Sequence, residues 1–137
     1  MKETIEYLTV QDVLFAHFRI VGAATEFDYA TLEEATFFQY GYGSSRNLMA
    51  QAARFATGFR RLRPFAKANL AVGFVVLTAF MVLNGYHLTI EPSQAAAWYE
   101  SLSLGEDQAA IEDAFTKTNG HHSVSPQGAI MDTLEEF

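Results

Sequence analysis

The stretch that decides the fold runs from Arg60 to Leu88, RRLRPFAKANLAVGFVVLTAFMVLNGYHL. A basic lead-in gives way to a short Pro-Phe loop and then to an almost wholly apolar run. Between Leu70 and Leu83 only Thr78 is polar. A helix that is apolar on every side needs other helices all round it, or lipid. This run is shorter than the roughly 20 residues that cross a bilayer, and Lys67 and Asn69 stand at its start. The stretch therefore reads as the buried central helix, over about residues 67–84, of a small all-α domain of about six or seven helices. Gly85 suits the left-handed position just past the end of such a helix, where a Cβ would be penalised.

The rest of the chain has to supply the enclosing helices. Its 137 residues are enough for one domain, and a composition that is 50% hydrophobic and 14% aromatic supports a real core. The net charge of −7 argues against nucleic acid as a partner. With no cysteine there is neither a disulfide framework nor a thiolate metal site. MKETIEYLTVQD lacks the apolar core of a secretory signal. The expectation is a soluble, cytoplasmic protein with no membrane association.

Outward from the central helix, Thr9 and Asp12 form a capping-box pattern. Val10, Val13, Leu14, Phe18 and Val21 follow at helical spacing, and Gly22 is a natural stop. His17 lies in this helix and is either a packed side chain or a proton shuttle. Thr31-Leu32-Glu33-Glu34 reads as a second capping box, opening a short helix through about Tyr40. Phe27, Tyr29, Phe37, Phe38, Tyr40 and Tyr42 crowd this region, either as a stacking wall for a ring or as a small core or partner surface. Ser44-Ser45 can cap a helix over about 46–61, with Leu48, Ala52, Phe55, Phe59 and Leu62 in one stripe. After Gly85, Tyr86 to Ile90 alternates as a short strand or extended flap does. Helices are predicted from Gln94 to about Leu102 and over about 107–117, the latter with Ile111 and Phe115 facing in. Residues 1–120 form the domain. Residues 121–137 form a tail in which Ile130, Met131, Leu134 and Phe137 recur at helical spacing, as in a short docking helix. His121-His122 is a poor metal site, because neighbouring residues point apart and no spaced third ligand accompanies them.

Arg63-Pro64-Phe65-Ala66-Lys67-Ala68-Asn69, the apolar helix and Asn84-Gly85-Tyr86 resemble the signature loop and helix of the Fic/Doc (death-on-curing) family. Its members carry a loop of the form H-x-F-x-(D/E)-(G/A)-N-(K/G)-R. Phe65, Ala68 and Asn69 match; Arg63 stands in the His position, Lys67 in the acidic position and Ala71 in the Arg position. Tyr7-Leu8-Thr9-Val10-Gln11-Asp12-Val13-Leu14 is similar to the opening of many Doc-like chains, and the likeness covers most of residues 7–117. It implies a Fic/Doc-like bundle. It also implies transfer of a phosphate-bearing group from a nucleotide to a protein hydroxyl, with the His as base, the acid holding magnesium and the Arg holding phosphate. A toxin–antitoxin setting and an antitoxin-like or target protein partner are implied as well.

Chemistry at the three replaced positions argues against that reaction. Arg63 stays protonated and cannot act as a base. General-base help of about 10²–10⁴-fold is therefore lost. Lys67 repels magnesium, and Ala71 removes a bidentate phosphate clamp. The chain leans away from being an enzyme. What survives is an anion site: Arg60, Arg61, Arg63 and Lys67 are four of nine basic residues, set before a helix N-terminus that favours negative charge. The candidate ligand-binding set is Arg60, Arg63, Phe65, Lys67, Ala68 and Asn69, for ATP, another nucleotide or phosphate, without magnesium. Arg60 and Arg61 can equally be solvated ends of a helix, and Asn69 can equally be a helix-start hydrogen bonder. Two other readings stay open. One is a divergent transferase using His17, His87 or Glu91 as base. The other is a structural protein that forms homo-oligomers through its aromatics and tail.

Overall fold

α4 spans Asn69–Leu83, and every residue from Val72 to Met81 is buried. With no polar side to offer water, it has to be enclosed. The computed structural model describes residues 4–23, 26–41, 47–102, 108–119 and 123–137. Within them α4 is met by α1 (Val10–Val21), α3 (Leu48–Leu62), α5 (Pro92–Ser101) and α7 (Pro126–Glu136). α2 (Tyr29–Phe37) and α6 (Gln108–Ala114) pack outside, against α3. These seven helices make the chain all-α, as the central stretch predicts. The one sheet among the described residues is a ribbon of β1 (Tyr86–Leu88) and β2 (Phe115–Lys117).

Local chemistry accounts for the helix ends. Thr9 caps α1 as predicted: its Oγ1 accepts from Asp12 N–H at 3.2 Å, and Asp12 Oδ2 accepts from Thr9 N–H at 2.8 Å. Gly22, left-handed at φ +82°, closes the helix. α2 begins earlier than the Thr31 capping box predicts. Asp28 is the cap, accepting from Thr31 N–H at 2.9 Å. A carboxylate there also meets the positive end of the helix dipole. α2 stops at Phe37 because Gln39, completely buried, turns its amide into the core. α3 is capped by Asn47, whose Oδ1 accepts from Ala50 N–H at 3.2 Å. Ser44-Ser45, predicted for that role, lies outside the described residues.

The helix predicted through Lys117 ends at Ala114, and Phe115–Lys117 becomes β2. β2 pairs antiparallel with β1, Tyr86 opposite Lys117 and Leu88 opposite Phe115. Two short segments rich in aromatic and β-branched residues satisfy each other's backbone better as a ribbon than either does alone. Thr89 closes the join: its N–H and its hydroxyl both donate to the Ala114 carbonyl, at 2.8 and 2.9 Å. α7 lies on α4 with Ala129, Ile130 and Thr133 buried, and the Phe137 ring meets Phe74 edge-on at 5.4 Å.

Three side-chain amides hold extended segments as a neighbouring strand would. Gln39 accepts from the N–H and donates to the carbonyl of Leu8, at 2.8 and 2.6 Å. Asn84 does the same for Glu6, at 2.8 Å each way. Asn69 does it for Phe65, at 3.0 and 2.7 Å. A primary amide carries a donor and an acceptor side by side, so one residue completes both backbone groups of another. Asn69 and Asn84 thus anchor the chain at the two ends of α4.

Candidate functional site

The loop before α4 is built by exclusion and then pinned. Arg63 ends α3 in the left-handed region, φ +48°, with its N–H on the Phe59 carbonyl. Pro64 cannot continue a helix. The loop then runs beside residues 26–28: Asp28 N–H donates to Pro64 O at 3.1 Å, Ala66 N–H to Glu26 O at 3.0 Å, and Phe27 bridges Phe65. Ala68, left-handed at φ +67°, starts α4 without a side-chain cap. The cap residue Ala68 has no side-chain acceptor and the Asn69 amide is committed to Phe65, so neither caps the first-turn N–H groups of α4.

Phe65 points inward and is 4% exposed. The His17 ring stacks on it at 4.0 Å and 9°, with Phe27 and Phe59 around it at 6.0 and 6.4 Å. His17 is buried and hydrogen-bonds the Lys67 backbone. Burial, which disfavours the charged ring, holds its pKa below the ordinary 6.5, and the Lys67 charge acts in the same direction. His17 is therefore a packed support beneath the loop.

Arg60, Arg61 and Arg63 converge, with Asn69 and Leu70, on a cavity of about 260 Å³. Arg60 is half-buried. Its guanidinium lies 5.8 Å from the Tyr99 ring centre, and Nη2 donates to the Glu100 carbonyl at 3.2 Å. Nη1 is buried with no acceptor among the described residues. Arg61 is exposed, its guanidinium 5.6 Å from the Phe38 ring centre. Lys67 is exposed but does not line this cavity. Of the candidate set, then, Arg60, Arg63 and Asn69 come together. Phe65 belongs to the core, Ala68 is a backbone cap, and Lys67 lies over His17. Ala71 lines a different cavity.

Three arginines line this cavity before a helix N-terminus, with no carboxylate beside them, and a net positive lining of this kind can hold an anion. They cannot take a proton from a hydroxyl. His87 is far off. It sits in β1 beyond the other end of α4, its Nδ1 3.2 Å from Thr118 Oγ1. The 15 residues of α4 put about 20 Å between the two ends. Glu91 is the residue before α5. His121, His122 and Tyr42 lie outside the described residues. The other aromatics disperse: Tyr40 pairs with Tyr7 at 4.5 Å and with Phe37 at 5.8 Å, Phe38 covers Gly58, and Phe27 joins Phe65.

Sequence reasoning missed an apolar cavity of about 560 Å³ between α4, α5 and α7. Leu70, Phe74, Ala95, Tyr99, Leu134 and Phe137 are among its lining residues. Tyr99 is 1% exposed and its hydroxyl has no hydrogen-bond partner among the described residues; desolvation raises its pKa strongly. The hydroxyl fits against α4 because residue 73 is glycine, where a Cβ would collide with it. A glycine inside an otherwise large-residue apolar helix was the available signal of this close approach.

The chain matches no protein-family model, no curated protein and no solved structure.

Proposed function

We propose that the protein is a non-catalytic binding module, a degenerate Fic/Doc-like chain that holds a phosphate-bearing or other anionic ligand at the start of α4. The observation that carries this is the convergence of Arg60, Arg61 and Arg63 on one cavity beside uncapped helix N–H groups. The family's base position is an arginine, and the only imidazole stacked against this loop among the described residues is buried under Phe65. Binding needs neither a base nor magnesium. Its biological setting is that of a regulator, one in which an antitoxin-like or target protein is engaged through the same end of the molecule.

The test is a calorimetric titration with ATP, ADP, AMP and inorganic phosphate, with and without magnesium. Binding without magnesium is expected, weakened at least about tenfold by Arg61→Ala/Arg63→Ala, the scale of one lost charge-assisted hydrogen bond. Lys67→Ala is expected to change it little. Labelled phosphate or AMP transferred to a protein, and abolished by Arg63→Ala, would overturn the non-catalytic reading.

A further inference from the structure

The basic cavity and the large apolar cavity are neighbours. Leu70 lines both, and 47% of its surface is exposed. Arg60 lines the basic cavity, yet its guanidinium packs on Tyr99 and bonds the Glu100 carbonyl, and both of those residues line the apolar one. A trough of about 560 Å³ walled by Leu70, Phe74, Leu134 and Phe137 thus opens beside three arginines. That volume lies in the range of small-molecule sites. Glu100 is the one carboxylate side chain in its lining.

We infer that the site takes an amphiphile: a single alkyl chain in the trough, with its carboxylate or phosphate head at Arg60, Arg61 and Arg63. This rests on the anion-binding reading above and names its ligand class. The two cavities favour this occupant jointly. An inorganic anion leaves the apolar walls uncovered, and a neutral apolar molecule leaves Arg60 Nη1 without an acceptor. Arg60 is the hinge of the site, half-buried at the junction, with Nη1 lacking an acceptor among the described residues. A buried donor without a partner is costly, and an anionic head supplies the missing oxygen. The head group needs no metal, which accords with the cationic side chains that line the cavity.

The experiment is calorimetry on the full chain, below the critical micelle concentration, with butyrate, octanoate and dodecanoate. Inorganic phosphate and the uncharged dodecyl maltoside serve as separate arms. Each methylene buried in the trough is worth about fourfold in affinity. Dodecanoate should therefore bind at one site per chain, at least about 100-fold tighter than butyrate, with dodecyl maltoside much weaker. Arg60→Gln should lose at least about tenfold for dodecanoate. Ala71→Trp, which fills the trough, should remove the gain with chain length while leaving phosphate binding intact; circular dichroism checks that both variants fold. Phosphate binding with no dependence on chain length overturns the amphiphile and leaves the anion site standing. Equal affinity for dodecanoate and dodecyl maltoside overturns recognition of the head group. If the folded protein binds no arm at all, both readings fall.

Discussion

At the scale of single residues, Ala68 and His17 each depart from ordinary behaviour at the loop before α4, as the left-handed Arg63 does. Ala68 is held left-handed, a conformation that costs a residue with a Cβ about 1–2 kcal/mol. Ala68→Gly relieves that strain but also loosens the unfolded chain. The net expectation is a gain of up to about 1 kcal/mol, read from urea denaturation; a clear loss would mean that the Ala68 methyl matters to packing. His17 is the second departure. Its pKa is depressed in the folded state, so the unfolded chain takes up the proton first as pH falls below 6.5. The stability it secures is complete above that pH and is lost as pH falls toward the folded-state pKa. Melting temperature should drop between about pH 7.5 and about pH 5, and less in His17→Phe, which keeps the ring stack without a titrating group. An undiminished drop in that variant would assign the acid sensitivity elsewhere.

At the scale of elements, α5 approaches α4 as closely as it does because Gly73 leaves room for the Tyr99 hydroxyl. Gly73→Ala should therefore destabilise by about 1–3 kcal/mol, as overpacking does. Tyr99→Phe removes a buried hydroxyl that has no hydrogen-bond partner among the described residues, so it should be neutral or stabilising. In the double variant most of the Gly73→Ala loss should return. Chemical denaturation of the four proteins closes this cycle, and strictly additive effects would show that the two residues do not meet. The same contact explains why the trough was hidden in the chain. Trp98 and Tyr99 read as ordinary helix aromatics until α4, α5 and α7 are brought together. The basic cluster was legible because Arg60, Arg61 and Arg63 are close in sequence, at the end of one helix. Lys67 is equally close in sequence, but the Phe65 anchor turns its segment toward His17, a direction that spacing alone does not encode.

At the scale of the whole molecule, α7 is part of the enclosure of α4. Ile130 is completely buried. Ile130→Ala should cost about 2–5 kcal/mol and lower the midpoint of a single transition. A separate early transition with the remaining helices intact would make α7 an independent appendage. By itself the sequence determined the class of the fold, the central helix, the Thr9 cap and the stop at Gly22. These follow from short-range rules, namely hydrophobic periodicity, side chains reaching backbone three residues away, and glycine's tolerance of positive φ. Only the tertiary structure decided that Phe115–Lys117 leaves the helical pattern for a ribbon, that His17 lies beneath Phe65, and that an apolar trough opens beside three arginines. Each of these depends on a partner distant in the chain, Phe115 on Leu88, His17 on Phe65 and Leu70 on Leu134. Which distant groups meet is set by the packing of whole helices around α4, and no local pattern carries that information.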